Sequence, residues 1–378
     1  MSIYVDVSAA VHARAGLGRY ADSLSRALLR EAPGRFAFFF NRSGASRIPS
    51  WLRGHSASSV RAGYKPWRMA VWLGQLAHVG FDRLVPDCEL FHATEHLLLP
   101  LRHCPTVLTV HDLIFYLFPQ HHKRLNRWYL NAALPLFCRR AHAVICVSEH
   151  SKADLVRFWG IKSEKIHVVY EAADSRFRPV SAEQVEVVRD RYGLPKRFLL
   201  TVGTIEPRKN LSRLLDALAL LRQQGNDASL VIVGMMGWLY TDLMTKLEQS
   251  EHRDAVVMTG FVPDADLPAV YGGATVTVVA SLYEGFGLPI LESMSCGTPV
   301  VSSCTSSLPE IGGKAVRYFD PEHTVEMAHA IAEVWRSAEL RQEMRQQGLA
   351  RAEQFTWQRA AQETMRIYAR AQQSEMAK

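Results

Sequence analysis

The hydrophobic and polar positions of the chain follow two periods in turn, one typical of β-strands and one typical of amphipathic helices. In the first half, the strand pattern covers Ile3–Val7, Phe36–Phe40, Leu90–His92, Thr106–Val110, Ala143–Val147 and Lys165–Val169. Helical patterns lie between these strands at Gly16–Leu29, Arg124–Arg139 and Ser151–Trp159. In the second half, a helix at Glu183–Tyr192 precedes strands at Phe198–Val202, Leu230–Val233, Ala255–Met258, Thr275–Val279 and Pro299–Ser302.

Strands that alternate with helices predict parallel sheets covered by helices on both faces. The length of 378 residues favours two domains. The polar stretch Glu171–Ser181 is the best candidate for a linker. We therefore predict an α/β protein with Rossmann-like domains at 1–175 and 176–355, facing each other across a cleft. An amphipathic helix within 356–378 either caps the second domain or crosses back to the first.

Composition narrows the class of protein. Hydrophobic residues make up 48% of the chain, which is too many for a disordered protein. No apolar run approaches the roughly 18 residues of a membrane span, and the first residues lack the features of a signal peptide. The six cysteines form no C-x-x-C pair. We expect a cytoplasmic protein with reduced thiols.

The net charge of +7 is unevenly distributed. Residues 1–180 contain 24 Lys+Arg and 13 Asp+Glu, so this half carries +11 and the remainder −4. A basic half can face nucleic acid, an anionic membrane or an anionic substrate, or it can simply be an uneven solvated surface. No compact basic helix or aromatic RNA-binding signature is present, so we expect no nucleic-acid partner.

The densest chemical signal is the segment 281–292, which follows a predicted strand and opens a helix. Gly285 and Gly287 allow close approach of the backbone to a ligand, and a helix N-terminus favours a phosphate. Pro289 suits the first helical turn. Glu284 lies in the loop and Glu292 lies about one turn into the helix, so the two carboxylates can contact different parts of one ligand.

Three other strand ends carry candidate residues. Gly203 begins a loop that contains Arg208 and Lys209, and Asn210 is placed to cap the following helix. The glycines of a first-domain turn and a histidine at the end of a strand are further candidates: Gly16, Gly18 and His111. For the histidine, the neighbouring Asp112 is an alternative ligand-facing residue. Ser148 is placed to cap the helix that follows it.

The segment around Glu284 and Glu292 resembles the E-x7-E signature of retaining glycosyltransferases of family 4, which have the GT-B fold. The resemblance implies that Glu284 contacts donor-sugar hydroxyls, that Glu292 binds the nucleotide ribose, and that Arg208 and Lys209 face the departing diphosphate. It also implies that His111 contacts the donor sugar. The other positions that it implies at the donor are Gly16, Gly18, Gly203, Gly234, Phe261, Val262, Gly285, Phe286, Gly287 and Leu288.

No metal site is expected. His92 and His96 have H-x3-H spacing, but the first stands at a strand end, so the two rings need not share a face. Asp264 and Asp266 form the only D-x-D, which a turn and a helix N-cap explain better than a metal.

The expected function is metal-independent, retaining hexosyl transfer from a nucleotide sugar, without any cofactor besides the donor. The resemblance is greatest to bacterial mannosyltransferases that use GDP-mannose in polysaccharide assembly, with a lipid-linked or growing glycan as the acceptor. A UDP-sugar donor and a GT-B sugar-nucleotide epimerase remain alternatives.

The segments Tyr64–Arg68 and Lys123–Tyr129 mix cations with aromatic residues, as membrane-surface segments do. They suggest a peripheral position on the inner membrane face. Alternatively, Trp67, Trp72 and Leu76 are core positions of an ordinary helix.

Overall fold

The structure is a computed structural model that describes residues 2–43 and 46–376, the last three of them by backbone alone. The chain divides into two compact units. The first unit is Met1–Glu171 with Thr356–Lys378, and the second unit is Ala172–Phe355. Within the part of the chain that is described, no helix combines the length and apolar character that a membrane span requires.

The first unit is built around a parallel sheet of seven strands in the order β3-β2-β1-β4-β5-β6-β7. The strands are β1 (Ser2–Asp6), β2 (Phe36–Arg42), β3 (Ala57–Arg61), β4 (Cys88–Ala93), β5 (Thr106–Val110), β6 (Ala143–Cys146) and β7 (Ile166–Val168). The helices are α1 (Ser8–Val11), α2 (Ala15–Glu31), α3 (Tyr64–Ala77), α4 (Ile114–Leu117), α5 (Arg124–Arg140) and α6 (Glu149–Trp159), together with the C-terminal α15 (Trp357–Met376).

The second unit has a parallel sheet of six strands in the order β10-β9-β8-β11-β12-β13. The strands are β8 (Leu199–Val202), β9 (Leu230–Val233), β10 (Val256–Gly260), β11 (Val276–Val279), β12 (Val300–Ser303) and β13 (Val316–Phe319). The helices are α7 (Ala182–Tyr192), α8 (Leu211–Gln223), α9 (Thr241–Glu248), α10 (Leu267–Gly273), α11 (Leu288–Ser295), α12 (Leu308–Gly312), α13 (Thr324–Arg336) and α14 (Ala338–Ala352).

Helix termini test the local sequence predictions. Ser148 caps α6 by accepting a hydrogen bond from the backbone N–H of Ser151 at 3.0 Å, as predicted. Asn210 stands at the predicted N-cap position of α8, but it makes no side-chain cap bond: its φ is +57° and its side-chain amide donates to the carbonyl of Pro321. Asp266 likewise stands at the predicted N-cap position of α10, but its carboxylate accepts from the Tyr192 hydroxyl and does not cap the helix.

The C-terminal helix α15 packs against α2, β4 and β5 of the first unit. The hydroxyl of Tyr368 shares a hydrogen bond of 2.7 Å with Nδ1 of His92, which lies in β4. Residues 377 and 378 of the predicted terminal segment lie outside the described residues.

The three apolar residues for which a core or a membrane role was open lie on α3 and differ in burial. Trp67 is buried in the core, Trp72 is half-buried and Leu76 is exposed. The helix is therefore amphipathic, with one edge in the core and one apolar edge at the surface.

Candidate active site

The second unit changes its direction of winding between β8 and β11, which pair side by side. In an open parallel sheet, the loops that leave two such strands diverge and create a crevice where ligands bind. Arg208 and Lys209 lie in the loop after β8, and Glu284 lies in the loop after β11. The topology therefore brings Arg208 and Lys209 of one predicted motif next to Glu284 of another.

Glu284 contacts both cations. Its Oε1 accepts a hydrogen bond from Lys209 Nζ at 2.6 Å, and its Oε2 lies 2.6 Å from Arg208 Nη1. Arg208 also donates through Nε to Glu206 Oε1 at 3.0 Å and through Nη1 to the Tyr283 carbonyl at 2.8 Å. The sequence reasoning missed Glu206, although it lies in the same loop as the two cations.

The pKa of Glu284 reflects this environment. Burial by itself raises the pKa of the carboxyl, but Arg208, Lys209 and the hydrogen bond from Ser281 outweigh burial and lower the pKa to about 2. Glu284 is therefore ionised at neutral pH and can only accept hydrogen bonds. A sugar hydroxyl is the kind of donor that suits it.

Serine side chains hold the loop that carries Glu284. The Ser281 hydroxyl donates to Glu284 Oε1 at 2.6 Å, and the Ser306 hydroxyl accepts from the Glu284 backbone N–H at 2.9 Å. The Ser307 hydroxyl donates to the carbonyls of Glu284 and Phe286 at 2.9 and 2.7 Å. These positioning roles were not predicted. The sequence feature that could have indicated them is the run of serines that begins in the strand predicted at Pro299–Ser302.

Two predicted glycines belong to adjacent strand ends. Gly203 and Gly234 have φ of +147° and +148°, and a Cβ on Gly234 would lie only 1.9 Å from the Gly203 carbonyl oxygen. A Cβ on Gly203 would meet the Lys209 side chain at 3.0 Å. The two glycines thus let the loops touch and leave room for Lys209, while their contact with a donor stays a prediction.

The predicted helix start after the glycine turn is confirmed. Helix α11 begins at Leu288 with Pro289 in its first turn, and Gly285 lies in the bend before it. Gly287 precedes the helix with φ of +114°. Glu292 is buried within the helix, and its Oε2 accepts a hydrogen bond from the Tyr271 hydroxyl at 2.8 Å. Its predicted ribose contact stays a prediction.

The remaining predicted donor residues of the second unit differ in exposure. Phe261 is 65% exposed after β10, whereas Val262 is buried beside it. Phe286 is buried and packs against Phe355 with ring centroids 6.2 Å apart. Of these three side chains, Phe261 has the surface area available for a flat ligand group such as a base.

The first unit changes its direction of winding between β1 and β4. His111 follows β5 at the same edge of the sheet and is buried. Its Nε2 donates to the Thr94 carbonyl at 2.9 Å, and its Nδ1 lies 3.2 Å from Glu171 Oε1. Burial lowers the pKa of His111, but Glu171 outweighs it and the pKa is raised. Its contact with a donor sugar stays a prediction. A hydrogen bond from the His111 ring to the sugar requires that one of these two bonds is broken first.

The two predicted glycines near the start of the chain have different surroundings. Helix α2 begins at Ala15, so Gly16 and Gly18 lie in its first turn rather than before it. A Cβ on Gly18 would lie 2.9 Å from the Ala9 carbonyl oxygen, whereas a Cβ on Gly16 would meet nothing within 4 Å. Packing therefore requires a glycine only at position 18.

Two carboxylates at the β1–β4 switch were not predicted. Asp6 ends β1 and Glu95 follows β4; both are buried, and Arg14 forms an ion pair with Glu95. Asp6 Oδ2 and Glu95 Oε1 have no hydrogen-bond partner in the described part of the chain. Burial, and then Glu95, raise the pKa of Asp6 to about 7. The available signal was a carboxylate at the end of one apolar strand and another two residues beyond a second such strand.

The histidines with H-x3-H spacing have separate roles. His92 is engaged by Tyr368 and, through Nε2, by the Thr109 hydroxyl at 2.8 Å. His96 lies 6.0 Å from the His111 ring between centroids. Among residues 2–43 and 46–373, no group of three or more His, Cys, Asp or Glu side chains is placed to hold a metal ion.

Both units match models of known protein families. Residues 14–177 match the model described as Glycosyltransferase Family 4, and residues 186–351 match that described as Glycosyl transferases group 1. In three dimensions the chain is similar to sucrose-phosphate synthase from Thermosynechococcus elongatus, with a TM-score of 0.78 at 20% identity over 98% of this chain and 99% of the other. The chain has the GT-B fold of glycosyltransferases, which confirms the predicted fold class.

The relatives in sequence define the family. The O-antigen chain mannosyltransferase B of Escherichia coli is 34% identical over 71% of this chain and 71% of its own length. A GDP-mannose-dependent phosphatidylinositol dimannoside mannosyltransferase of Mycobacterium tuberculosis is 36% identical over 46% of this chain and 44% of its own. The chain covers only about a third of the length of further Escherichia coli mannosyltransferases. The chain belongs to the family 4 glycosyltransferases.

Proposed function

We propose that the chain transfers mannose from GDP-mannose to a hydroxyl of a lipid-linked or growing bacterial glycan, with retention of the anomeric configuration. The observation that carries this proposal is the cluster of Arg208, Lys209 and Glu284 at the switch point of the second sheet. The choice of mannose is supported by the names of the two similar transferases, and the choice of GDP by the name of the mycobacterial one.

The second unit binds the donor. Arg208 and Lys209 are balanced by Glu206 and Glu284 in the cluster. When the diphosphate leaves, its developing negative charge is nearest to Arg208 and Lys209, which stabilise it more in the transition state than in the ground state. Glu284 remains ionised and accepts hydrogen bonds from the donor-sugar hydroxyls.

Retention fits a displacement on one face of the sugar. The departing phosphate oxygen itself takes the proton of the acceptor hydroxyl, so no separate general base is required. The cations neutralise the diphosphate, so the proposed reaction uses neither a divalent ion nor a resident cofactor. Turnover that is unchanged by a chelator is the expected result, and turnover that is lost with EDTA and restored by Mg²⁺ would contradict this part.

A panel of nucleotide sugars tests the donor. A donor that binds only the native state raises the melting temperature, by an amount that grows with its concentration relative to its Kd. GDP-mannose is expected to raise it more than GDP-glucose and more than any UDP-sugar. A larger shift with a UDP-sugar would replace GDP-mannose as the donor.

Incubation with donor alone separates the transferase from the epimerase alternative. A transferase without acceptor releases the nucleotide slowly by hydrolysis, and the remaining donor keeps its configuration. An epimerised nucleotide sugar would exclude the transferase. The two outcomes are distinguished by chromatography of the nucleotide products.

We also propose a peripheral position on an anionic membrane for the first unit. Its helices α3 and α5 expose Leu73, Leu125 and Trp128, with the last two 83% and 57% exposed. Lysines and arginines accompany them at Lys65, Lys123, Arg124 and Arg127. Apolar side chains between cations are typical of segments that lie on anionic bilayers.

Vesicle binding tests this position. The variant Leu125→Ser is expected to weaken binding to phosphatidylglycerol vesicles, because it removes apolar surface from the bilayer contact. The matched control is Val325→Ser, which replaces a residue 72% exposed in the second unit. Equal effects of the two variants, or no binding of the wild type at low salt, would refute the proposed position.

A further inference from the structure

A cavity of about 270 Å³ lies in the first unit and does not include His111 or the two carboxylates at the β1–β4 switch. Its wall includes Thr106, the first residue of β5, whereas His111 follows the last residue of that strand. A strand of five residues is roughly 17 Å long. The cavity therefore lies near the amino ends of the strands, whereas His111 lies at their carboxyl ends. The proposed function gives it no role.

The charged and titratable residues that line the cavity are Arg102, Arg140, His78 and His142. Within the part of the chain that the structure describes, no aspartate or glutamate lines it. Asp82 lies close by, but its Oδ1 accepts hydrogen bonds from the backbone N–H groups of Arg102 and His103 at 2.9 and 3.1 Å. The wall is therefore positively charged.

The two guanidinium groups bind only neutral acceptors. Arg102 donates through Nη2 to the His78 carbonyl. Arg140 donates through Nη1 to the backbone carbonyl of Gln75 and to its side-chain oxygen, the latter at 3.1 Å, and through Nη2 to Nε2 of His78 at 3.1 Å. Neither forms an ion pair with a carboxylate in the described part of the chain. A guanidinium has five N–H donors, so donors remain for an anion with several oxygens.

One side of the cavity is apolar and exposed. Val79 lines it and is 52% exposed, and Leu73 and Leu76 are exposed on the preceding helix α3. Leu73 belongs to the face that we propose for the membrane, and Leu76 and Val79 follow it in the sequence. A cationic cavity beside an apolar surface matches the two chemical parts of a phospholipid.

We propose that this cavity binds a phosphate group, supplied in the cell by the headgroup of an anionic phospholipid. Arg102 and Arg140 contact the phosphate oxygens, and Val79, Leu76 and Leu73 lie against the apolar part of the lipid. The choice of a lipid rests on the proposed membrane position. The recognition of phosphate rests on the cavity alone, so the two are tested separately.

The vesicle arm compares Arg102→Gln with Arg139→Gln. Arg139 is an exposed arginine next to Arg140 that donates to the Trp159 carbonyl and does not line the cavity, so its variant loses the same charge. An arginine near an anionic surface is worth about a factor of five in binding. Arg102→Gln is expected to weaken binding to phosphatidylglycerol–phosphatidylcholine vesicles about five-fold or more, and Arg139→Gln by less than two-fold. Equal losses would overturn the lipid site in favour of general electrostatic attraction.

The second arm uses inorganic phosphate and no membrane. Phosphate is expected to raise the melting temperature of the wild type and of Arg139→Gln, and to raise that of Arg102→Gln much less. If Arg102→Gln unfolds, Arg140→Lys is measured in its place. This variant keeps the positive charge but loses the planar guanidinium that can donate two hydrogen bonds to a phosphate. A phosphate shift without a selective vesicle effect supports the cavity and overturns the lipid source. An equal shift in all variants overturns the cavity.

Transfer to a soluble acceptor provides the check on the proposed function. Arg102→Gln is expected to keep wild-type turnover there, because Arg102 is not among the candidate site residues and the cavity and His111 lie at opposite ends of β5. If only the lipid proposal is wrong, all variants still transfer the sugar at the normal rate. If the proposed function is wrong, no variant transfers it, and neither does the wild type.

Discussion

Lys209 and Arg208 bind the same carboxylate, yet they are not equivalent. Arg208 is fixed by three acceptors, whereas Lys209 reaches Glu284 with one of its three N–H donors at 2.6 Å. A compact ammonium group held by one bond can turn towards a diphosphate while Arg208 keeps the two loops together. Loss of the Lys209 side chain is therefore expected to impair catalysis while leaving the loop structure intact.

We expect Lys209→Ala to lower kcat about 100-fold or more at saturating donor, because it removes charge that stabilises the leaving diphosphate in the transition state. Steady-state kinetics with a soluble acceptor measure this. Lys246→Ala is the matched control, since Lys246 pairs with Asp216 on the surface of the same unit. Near-normal transfer by Lys209→Ala would refute the assignment.

Asp6 gives a prediction about pH. Its pKa is raised from 3.8 to about 7, so between these values the native state binds a proton that the unfolded state has released. The wild type therefore loses stability as pH rises through this window. An asparagine at this position does not titrate, and its side-chain oxygen can still accept from the Ser8 N–H, a bond of 2.8 Å in the native protein.

Asp6→Asn is consequently expected to become more stable relative to the wild type by roughly 2–3 kcal/mol between pH 5 and pH 8. Denaturant unfolding at the two pH values measures the free energies. Asp242→Asn, at an exposed position in the first turn of α9, should show a constant difference. A constant difference for Asp6→Asn as well would mean that Asp6 has an ordinary pKa in the folded protein.

Individual site residues could be predicted from the sequence where a reactive side chain follows a recognisable strand. Arg208, Lys209 and Glu284 were identified because each follows a strongly apolar strand within a distinctive motif. Asp6 is the last residue of such a strand, but a single carboxylate has no spacing to set it apart. Asn210 has an αL backbone and donates to the Pro321 carbonyl, a partner 111 residues away that local sequence does not reveal.

At the level of elements, the apolar pattern located the central strands of both sheets and the edge strands β7 and β10, but it missed the edge strands β3 and β13. β3 alternates exposed and half-buried residues, and its sequence Ala-Ser-Ser-Val-Arg offers little apolar signal. β13 is the other missed strand and also lies at an edge. An edge strand pairs on one side only, so fewer of its side chains need to be apolar.

The first turn of α2 provides a prediction at this scale. Gly18→Ala is expected to lower the free energy of unfolding by about 1–3 kcal/mol, because the new methyl group would overlap the Ala9 carbonyl oxygen. Gly16→Ala is expected to leave stability unchanged or to raise it by up to about 1 kcal/mol, since the site is open and alanine favours a helix. Equal destabilisation by both variants would contradict this packing difference.

The Gly16→Ala variant also tests whether Gly16 has a role in donor binding besides its place in the helix. If Gly16 contacts the donor phosphates, as the family resemblance implies, Gly16→Ala keeps a stable fold but has a raised KM for the donor. Thermal unfolding and donor kinetics on one preparation measure both quantities. A normal KM would assign Gly16 to no more than an ordinary helix start.

At the scale of the whole molecule, the chain leaves the first unit after Glu171 and returns to it at Thr356. The returning helix α15 contributes to the core of the first unit. Its Tyr368 is fully buried and binds His92, whose pKa burial lowers to about 3, so the ring is neutral. The stability of the first unit thus depends on a segment that follows the second unit in sequence.

Two matched variants test whether each unit has its own core. Tyr368→Phe removes the hydroxyl that binds His92 in the first unit, and Tyr318→Phe removes the hydroxyl that donates to the Gly313 carbonyl at 3.0 Å in the second. Each loss is expected to cost about 1–2 kcal/mol, and more for Tyr368, because it leaves a buried histidine nitrogen without a partner. In hydrogen exchange, Tyr368→Phe should speed exchange in β4 and β5 while β8 and β11 stay protected, and Tyr318→Phe should do the reverse. Faster exchange in both sheets from either variant would show that the units unfold together, and would exclude two independent cores.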